Sequence, residues 1–112
     1  MKIIMNNEEL KSYIVDGVAK FNESIECDFD ICIDANIEAR NIEARNIEAY
    51  NIKAYNIKAY NIKAWDINAN NIKAYNIDAW DVDASDVEAW DIEASDIKAS
   101  NIEAWDIEAL NI

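Results

Sequence analysis

The groups in this chain that could carry chemistry are carboxylates, indoles, phenols and thiols: 23 Asp and Glu, four Trp, five Tyr and two Cys, with no histidine. Carboxylates can hold a cation, move a proton or attract a basic surface, and their neighbours decide which. Here no nucleophile stands beside a base, no glycine-rich phosphate loop is present, and no soft or imidazole ligands cluster at metal-binding spacing. The expectation is therefore a noncatalytic chain without cofactors. Cys27 and Cys32 are fewer than the disulfide framework of a small secreted domain uses, and they read as free thiols.

What positions these groups is a repeat. The 112 residues contain one glycine and no proline, so the usual turn formers are missing and something else must turn the chain. From residue 36 onward the sequence runs N-I-E-A-R, N-I-E-A-R, N-I-E-A-Y without insertion. Ile or Val recurs every fifth residue from Ile37 to Ile112, Asn or Asp precedes each, and Ala follows two places later in all but the last unit. A period of five fits neither a helix at 3.6 nor an uninterrupted strand at 2, so each unit contains a bend. Ile-x-Ala puts two apolar side chains on one face of a very short strand, and Asn or Asp makes the corner by bonding nearby backbone. Stacked units then form an all-β solenoid with Ile and Ala inside and the large variable residues outside.

These units resemble those of pentapeptide-repeat proteins, in which a small residue, Asp or Asn, and Leu or Phe precede two variable residues. The resemblance covers about two thirds of the chain. Asn or Asp precedes the branched residue as in that family, whereas Arg, Tyr, Trp, Ser, Asn or Leu fills the small-residue place and Ala has moved two places after. The resemblance implies a right-handed, four-sided β-helix with twenty residues per coil, hence just under four coils here.

In a twenty-residue register, Asn46, Asp66, Asp86 and Asp106 share a corner column, and three stacked carboxylates there read either as a cation or basic-partner site or as solvated corner residues. The charged places between Ile and Ala form the columns Glu38, Lys58, Asp78, Lys98; Glu43, Lys63, Asp83, Glu103; and Glu48, Asn68, Glu88, Glu108, of which the first alternates in sign as cross-strand pairs prefer. Tyr60 falls over Trp80, and Tyr55 over Tyr75. The aromatic places, Trp65, Trp80, Trp90 and Trp105 among them, have three readings: stacking that stabilises the rod, anchoring of a protein interface, or a platform for sugars or bases.

Net charge is -13, unevenly spread. Residues 35–77 carry four acids against six cations, a balance of +2; residues 78–112 carry eleven acids against Lys98, a balance of -10; residues 1–34 supply the remaining -5. The C-terminal half should repel nucleic acid and anionic membrane and attract a basic-surfaced protein. The resemblance also extends to acidic members that mimic duplex DNA and bind DNA gyrase. Against that alternative, just under four coils span only ~18 Å, about five base pairs. No apolar stretch approaches the ~18 residues of a membrane span, and the N-terminal apolar run is too short for a secretory signal, which points to the cytoplasm.

Residues 1–34 read as an N-terminal cap of short strand, helix and lead-in strand, and 35–112 as the solenoid. Asn6 and Glu9 make a capping pair for a helix whose apolar residues Leu10, Tyr13, Ile14 and Val18 cover the first coil, with Gly17 ending it. Alternation from Ile25 to Ile37 turns Cys27 inward and leaves Cys32 either opposite it or in an Ile place. The C-terminal coil carries no such cap, so Leu110 and Ile112 are candidate homodimer contacts unless the native chain is longer. The leading functional expectation is a scaffold or interaction protein, with Asp66, Asp86, Asp106, Trp65, Trp80, Trp90 and Trp105 as partner-binding residues. DNA mimicry and a cation-binding solenoid are the alternatives.

Overall fold

The computed structural model describes residues 2–111. Parallel strands fill it, joined in one 14-stranded sheet that winds into a solenoid of about six turns with one short helix. The first units are three-residue strands: β6 (Asn36–Glu38), β7 (Asn41–Glu43), β8 (Asn46–Glu48), β9 (Asn51–Lys53) and β10 (Asn56–Lys58). Farther on, units run together into β11 (Asn61–Lys73), β12 (Asn76–Glu88), β13 (Asp91–Glu103) and β14 (Asp106–Asn111).

Neighbouring coils are fifteen residues apart, in place of the twenty implied by the resemblance. Asn61 pairs with Asn76, Ile62 with Ile77 and Lys63 with Asp78, and the same step links β12 to β13 and β13 to β14. Three units therefore complete a coil, and the strands form three stacks. One descends through β6 and β9, a second through β7 and β10, and a third through β8, all meeting successive parts of β11.

Ile and Ala both point inward. Ile62, Ile67 and Ile72 are 1–2% exposed, and Ala64, Ala69 and Ala74 are 5–6% exposed. Each fully buried Ile contributes about 1.5–3 kcal/mol, and alternation with Ala keeps the lumen narrow enough for three walls to close around it. Corners are tied from coil to coil by backbone hydrogen bonds, such as Trp65 N–H to the Tyr50 carbonyl at 2.7 Å and Trp90 N–H to Tyr75 at 2.9 Å. No buried side-chain polar atom among the described residues lacks a partner.

The cap closes the top of each stack separately. β1 (Lys2–Ile4) pairs with β4 (Ile25–Cys27), which leads into β7. β2 (Ile14–Val15) folds back on β3 (Val18–Lys20), which leads into β6. On the third stack, β5 (Asp30–Cys32) lies above β8, and the Asn7 side chain stands in for a missing strand: it donates to the Asp30 carbonyl at 2.9 Å and accepts from Cys32 N–H at 3.1 Å. Asn7 opens α1 (Asn7–Lys11). Its N-cap Asn6 accepts from Glu9 N–H at 2.8 Å, half of the expected capping pair, while the Glu9 side chain reaches past Asn6 to accept from Met5 N–H at 3.4 Å. Leu10 is fully buried.

The helix is shorter than expected. It stops at Lys11, and Gly17 (φ 80°) with Asp16 (φ 53°) instead makes the tight turn of the β2–β3 hairpin, where two consecutive positive φ values match a two-residue loop. Cys27 is buried and Cys32 exposed, because Ile31 takes the inward place opposite Ile47. The candidate dimer contacts, the Leu110 side chain and Ile112, lie outside the described residues.

Candidate functional surface

Three outward places recur in every unit: the Asn or Asp that starts it, the charged residue between Ile and Ala, and the variable residue that ends it. At a step of fifteen these make nine rows along the rod, three to a face.

Two of the ending rows are aromatic. Tyr50, Trp65 and Trp80 stack with ring centroids 5.0 and 5.8 Å apart, and Tyr60, Tyr75, Trp90 and Trp105 stack at 5.3, 5.1 and 5.3 Å. Ring planes lie within 5–22° of one another, so the spacing is that of the coils. Trp65, Trp80, Trp90 and Trp105 are thus divided between two ladders, and neither Tyr60 over Trp80 nor Tyr55 over Tyr75 occurs. Tyr55 belongs to the third ending row, with Arg40, Asn70, Ser85 and Ser100.

This geometry decides what the rings can bind. A base or sugar inserted between two rings needs about 7 Å of separation, two contacts of ~3.5 Å each. Ring faces along the ladders are already occupied by each other. What the ladders present to solvent is ring edges, which carry the positive side of the aromatic quadrupole. They suit broad contact with a protein surface better than a stacking platform.

The starting rows are hydrogen-bonded ladders. Asn61 Nδ2 donates to Asn46 Oδ1 and Asn56 to Asn41, both at 2.8 Å, and the amides of Asn76 and Asn71 continue these rows at 2.7 and 2.8 Å, with their nitrogens turned to Asp91 at 3.2 Å and Asp86 at 3.1 Å. An amide both donates and accepts, so Asn propagates such a row, while ionised Asp only accepts and must be supplied by its neighbours. Asn101 serves Asp86 in this way at 2.9 Å. With its amide turned so that the nitrogen faces the next coil, Asn51 serves Asp66 at 3.2 Å.

Asp66, Asp86 and Asp106 do not share a column. Asp86 lies between Asn71 and Asn101, and Asp106 lies over Asp91. Asp66 begins a run of three acids with Asp81 and Asp96, which leaves Asp81 with a carboxylate and no amide on either side. The Asp81 carboxyl is accordingly pushed above its usual range, by desolvation first and then by hydrogen bonding and charge repulsion from Asp66 and Asp96. Asp81 and Asp96 escape a twenty-residue reading, and the step of fifteen is the signal that finds them. Among the described residues no group of three or more His, Cys, Asp or Glu is placed to hold a metal ion, and no helix is long and apolar enough to cross a membrane.

The charged rows also regroup. They now read Glu38, Lys53, Asn68, Asp83, Lys98; Glu43, Lys58, Lys73, Glu88, Glu103; and Glu48, Lys63, Asp78, Glu93, Glu108. Each of Lys53, Lys58 and Lys63 lies one coil from a glutamate. Such exposed pairs add ~0–1 kcal/mol each. Below residue 78 the rows are acidic apart from Lys98, so a strongly negative end lies beside Trp80, Trp90 and Trp105.

Grooves mark one face in particular. Between the row Glu43 to Glu103 and the ladder Tyr60 to Trp105 runs a groove of about 800 Å³, floored by Ala44, Ala59, Ala74, Ala89 and Ala104. A second, of about 750 Å³, flanks the same charged row on its other side, along Asn56, Asn71, Asp86 and Asn101.

Comparison with family models, with curated proteins and with solved structures finds no match for this chain.

Proposed function

We propose that this chain is a noncatalytic binding rod that docks a basic-surfaced protein on the acidic half of the face bounded by its two aromatic ladders. The observation that carries this reading is the placement of Asp78, Asp91, Glu93, Asp106 and Glu108, all exposed, between Trp80 on one edge and Trp90 and Trp105 on the other. Indoles supply large contact area at little entropic cost, and the carboxylates supply steering and choice of partner. Trp80, Trp90 and Trp105 are 65%, 53% and 80% exposed, which leaves more than half of each side chain free for a partner. Membership of the pentapeptide-repeat proteins, with the right-handed winding it implies, belongs to the same reading and is supported by the unbroken units and their Asn ladders.

The test uses the four indole N–H resonances, one per Trp, in an NMR titration with an arginine-rich peptide. Shifts in the signals of Trp80, Trp90 and Trp105, larger than at Trp65 and lost with an acidic peptide of equal length, would support the reading. Uniform shifts, or none at millimolar peptide, would overturn it.

DNA mimicry is the second reading. The long dimension of the rod is 36 Å, about ten base pairs at ~3.4 Å each, so the objection from length is halved. Lys53, Lys58, Lys63 and Lys73 interrupt the negative surface through the middle coils, which disfavours it. A supercoiling assay without inhibition at micromolar protein would dispose of it.

A further inference from the structure

The face that carries both grooves is complementary to itself. Its charged row reads Glu43, Lys58, Lys73, Glu88, Glu103 down the rod, and turned end for end about a point between Lys73 and Glu88 it meets its own opposite. Lys73 then faces Glu88 of the second copy and Lys58 faces Glu103. On the same operation Asn71 faces Asp86, to which it can donate, and Tyr75 and Tyr60 of the ladder face Trp90 and Trp105. A two-fold axis across the rods keeps each row opposite the same row, as an isologous contact requires. A two-fold axis along the rods would instead set the charged row against itself, like charge to like, and the Asn row against the aromatic ladder.

Neither of the other faces combines this property with an aromatic ladder. The row Glu48, Lys63, Asp78, Glu93, Glu108 meets like charges in any end-for-end overlap that keeps most of its coils together. The row Glu38, Lys53, Asn68, Asp83, Lys98 is self-complementary about Asn68, but its face ends in Arg40, Tyr55, Asn70, Ser85 and Ser100, with no aromatic ladder.

We infer that the Asn41–Arg45 face, continued through Asn101–Trp105, is the interface of an antiparallel, side-by-side homodimer. Net charge favours that orientation over a parallel one, since each half carrying -10 then lies beside its partner's less acidic half rather than beside the other -10. About that centre the four coils from Asn56–Tyr60 to Asn101–Trp105 overlap, ~19 Å at ~4.8 Å each. With a width of 20 Å, the two copies bury about 770 Å², below the range of stable interfaces and suited to weak, reversible association. The inference rests on the binding-rod reading only in taking an aromatic-edged face as an interface; the two surfaces share the Trp90 and Trp105 edge, while Trp80 and the carboxylates between the ladders stay open to another partner.

Cys32 provides the test without any substitution, because it is exposed while Cys27 is buried. Sedimentation at about 0.15 M salt, where screening shortens the reach of the net repulsion, should show monomer giving way to dimer between about 10 µM and about 1 mM, as expected of an interface this small. Nitroxides on Cys32 should report about 40 Å in the dimer: seven coil steps of ~4.8 Å along the axis, combined with the thickness of the rods. K58E/K73E and E88K/E103K should each be monomeric and folded by circular dichroism, and their equimolar mixture should regain the dimer. If a charge-reversed protein fails to fold, the Cys32 distance on the unaltered chain decides alone. A monomeric mass throughout, a distance near 20 Å from a parallel pair, or one beyond about 60 Å from an end-to-end pair would overturn the inference. Loss of dimer with arginine-peptide binding intact would leave the binding-rod reading standing, and the reverse result would remove that reading alone.

Discussion

Whether the coil holds three units or four can be measured by energetic coupling between ring pairs. Tyr60 and Tyr75 are fifteen residues apart with centroids at 5.3 Å, while Tyr60 and Trp80, twenty apart, belong to different ladders. Tyr60 is 56% exposed, so of about 200 Å² in such a side chain roughly 90 Å² leaves water, worth at most about 2 kcal/mol at ~25 cal/mol per Å². Stacking adds ~0.5–1.5 kcal/mol. Tyr60→Ala alone should therefore cost roughly 2–3 kcal/mol in urea unfolding followed by far-UV circular dichroism. The single cost could arise in either register, but the coupling could not. A double-mutant cycle over Tyr60 and Tyr75 should return about 1 kcal/mol, and a cycle over Tyr60 and Trp80 should be additive within about 0.5 kcal/mol. Additivity for the first pair with clear coupling for the second would refute the fifteen-residue coil and every row assigned from it.

Asp81→Asn should raise the melting temperature at pH 7, because an amide at that place donates to Asp66 or Asp96 where the carboxylate repels both. The folded-state pKa of Asp81 lies above its value of 3.8 in the unfolded chain; its contribution is thus fully present below that value and is lost as pH rises through the folded pKa, so the gap between variant and parent should close on acidification. A gap that widens toward acid would contradict the assignment. Disulfide-exchange labelling at about pH 8 should modify the exposed Cys32 promptly and Cys27 only on unfolding. Cys27 is buried and pushed up to about 11 by desolvation and by the nearby Glu9 and Glu26, and equal rates for the two thiols would mean that the cap does not pack as described.

Much of the architecture is legible in the residues themselves. Ile-x-Ala alternation states which side chains face inward, and Asn6 with Glu9 marks the helix start, because both signals are local and repeat or pair within a few positions. The number of units per coil is a global property, fixed by how many Ile and Ala side chains fill the lumen, and no single unit contains it. Yet it can be read from residues far apart. Only a step of fifteen places Tyr60, Tyr75, Trp90 and Trp105 in one row, and only that step sets Lys53, Lys58 and Lys63 each beside a glutamate. The twenty-residue value came with the family resemblance and masked this pattern. It also gathered Asp66, Asp86 and Asp106 into one column when the acidic run is Asp66, Asp81 and Asp96. At Gly17 the apolar spacing suits a helix, but two successive residues at positive φ serve a hairpin, and the antiparallel partner that β3 needs is not visible in the local pattern. The Asn7 side chain acting as a strand edge has no sequence signal at all beyond its position.

Three units to a coil also govern how such a chain can be edited and inherited. Losing or gaining fifteen residues shortens or lengthens the rod by one step of ~4.8 Å and leaves every later row on its own wall. Losing a single unit preserves the five-residue grammar, and the solenoid still closes, but each downstream row moves to the next wall and both aromatic ladders break at the seam. Slippage within so repetitive a sequence is therefore neutral for folding at any multiple of five and neutral for the surface only at multiples of fifteen. The faces, rather than the core, are what selection would have to proofread.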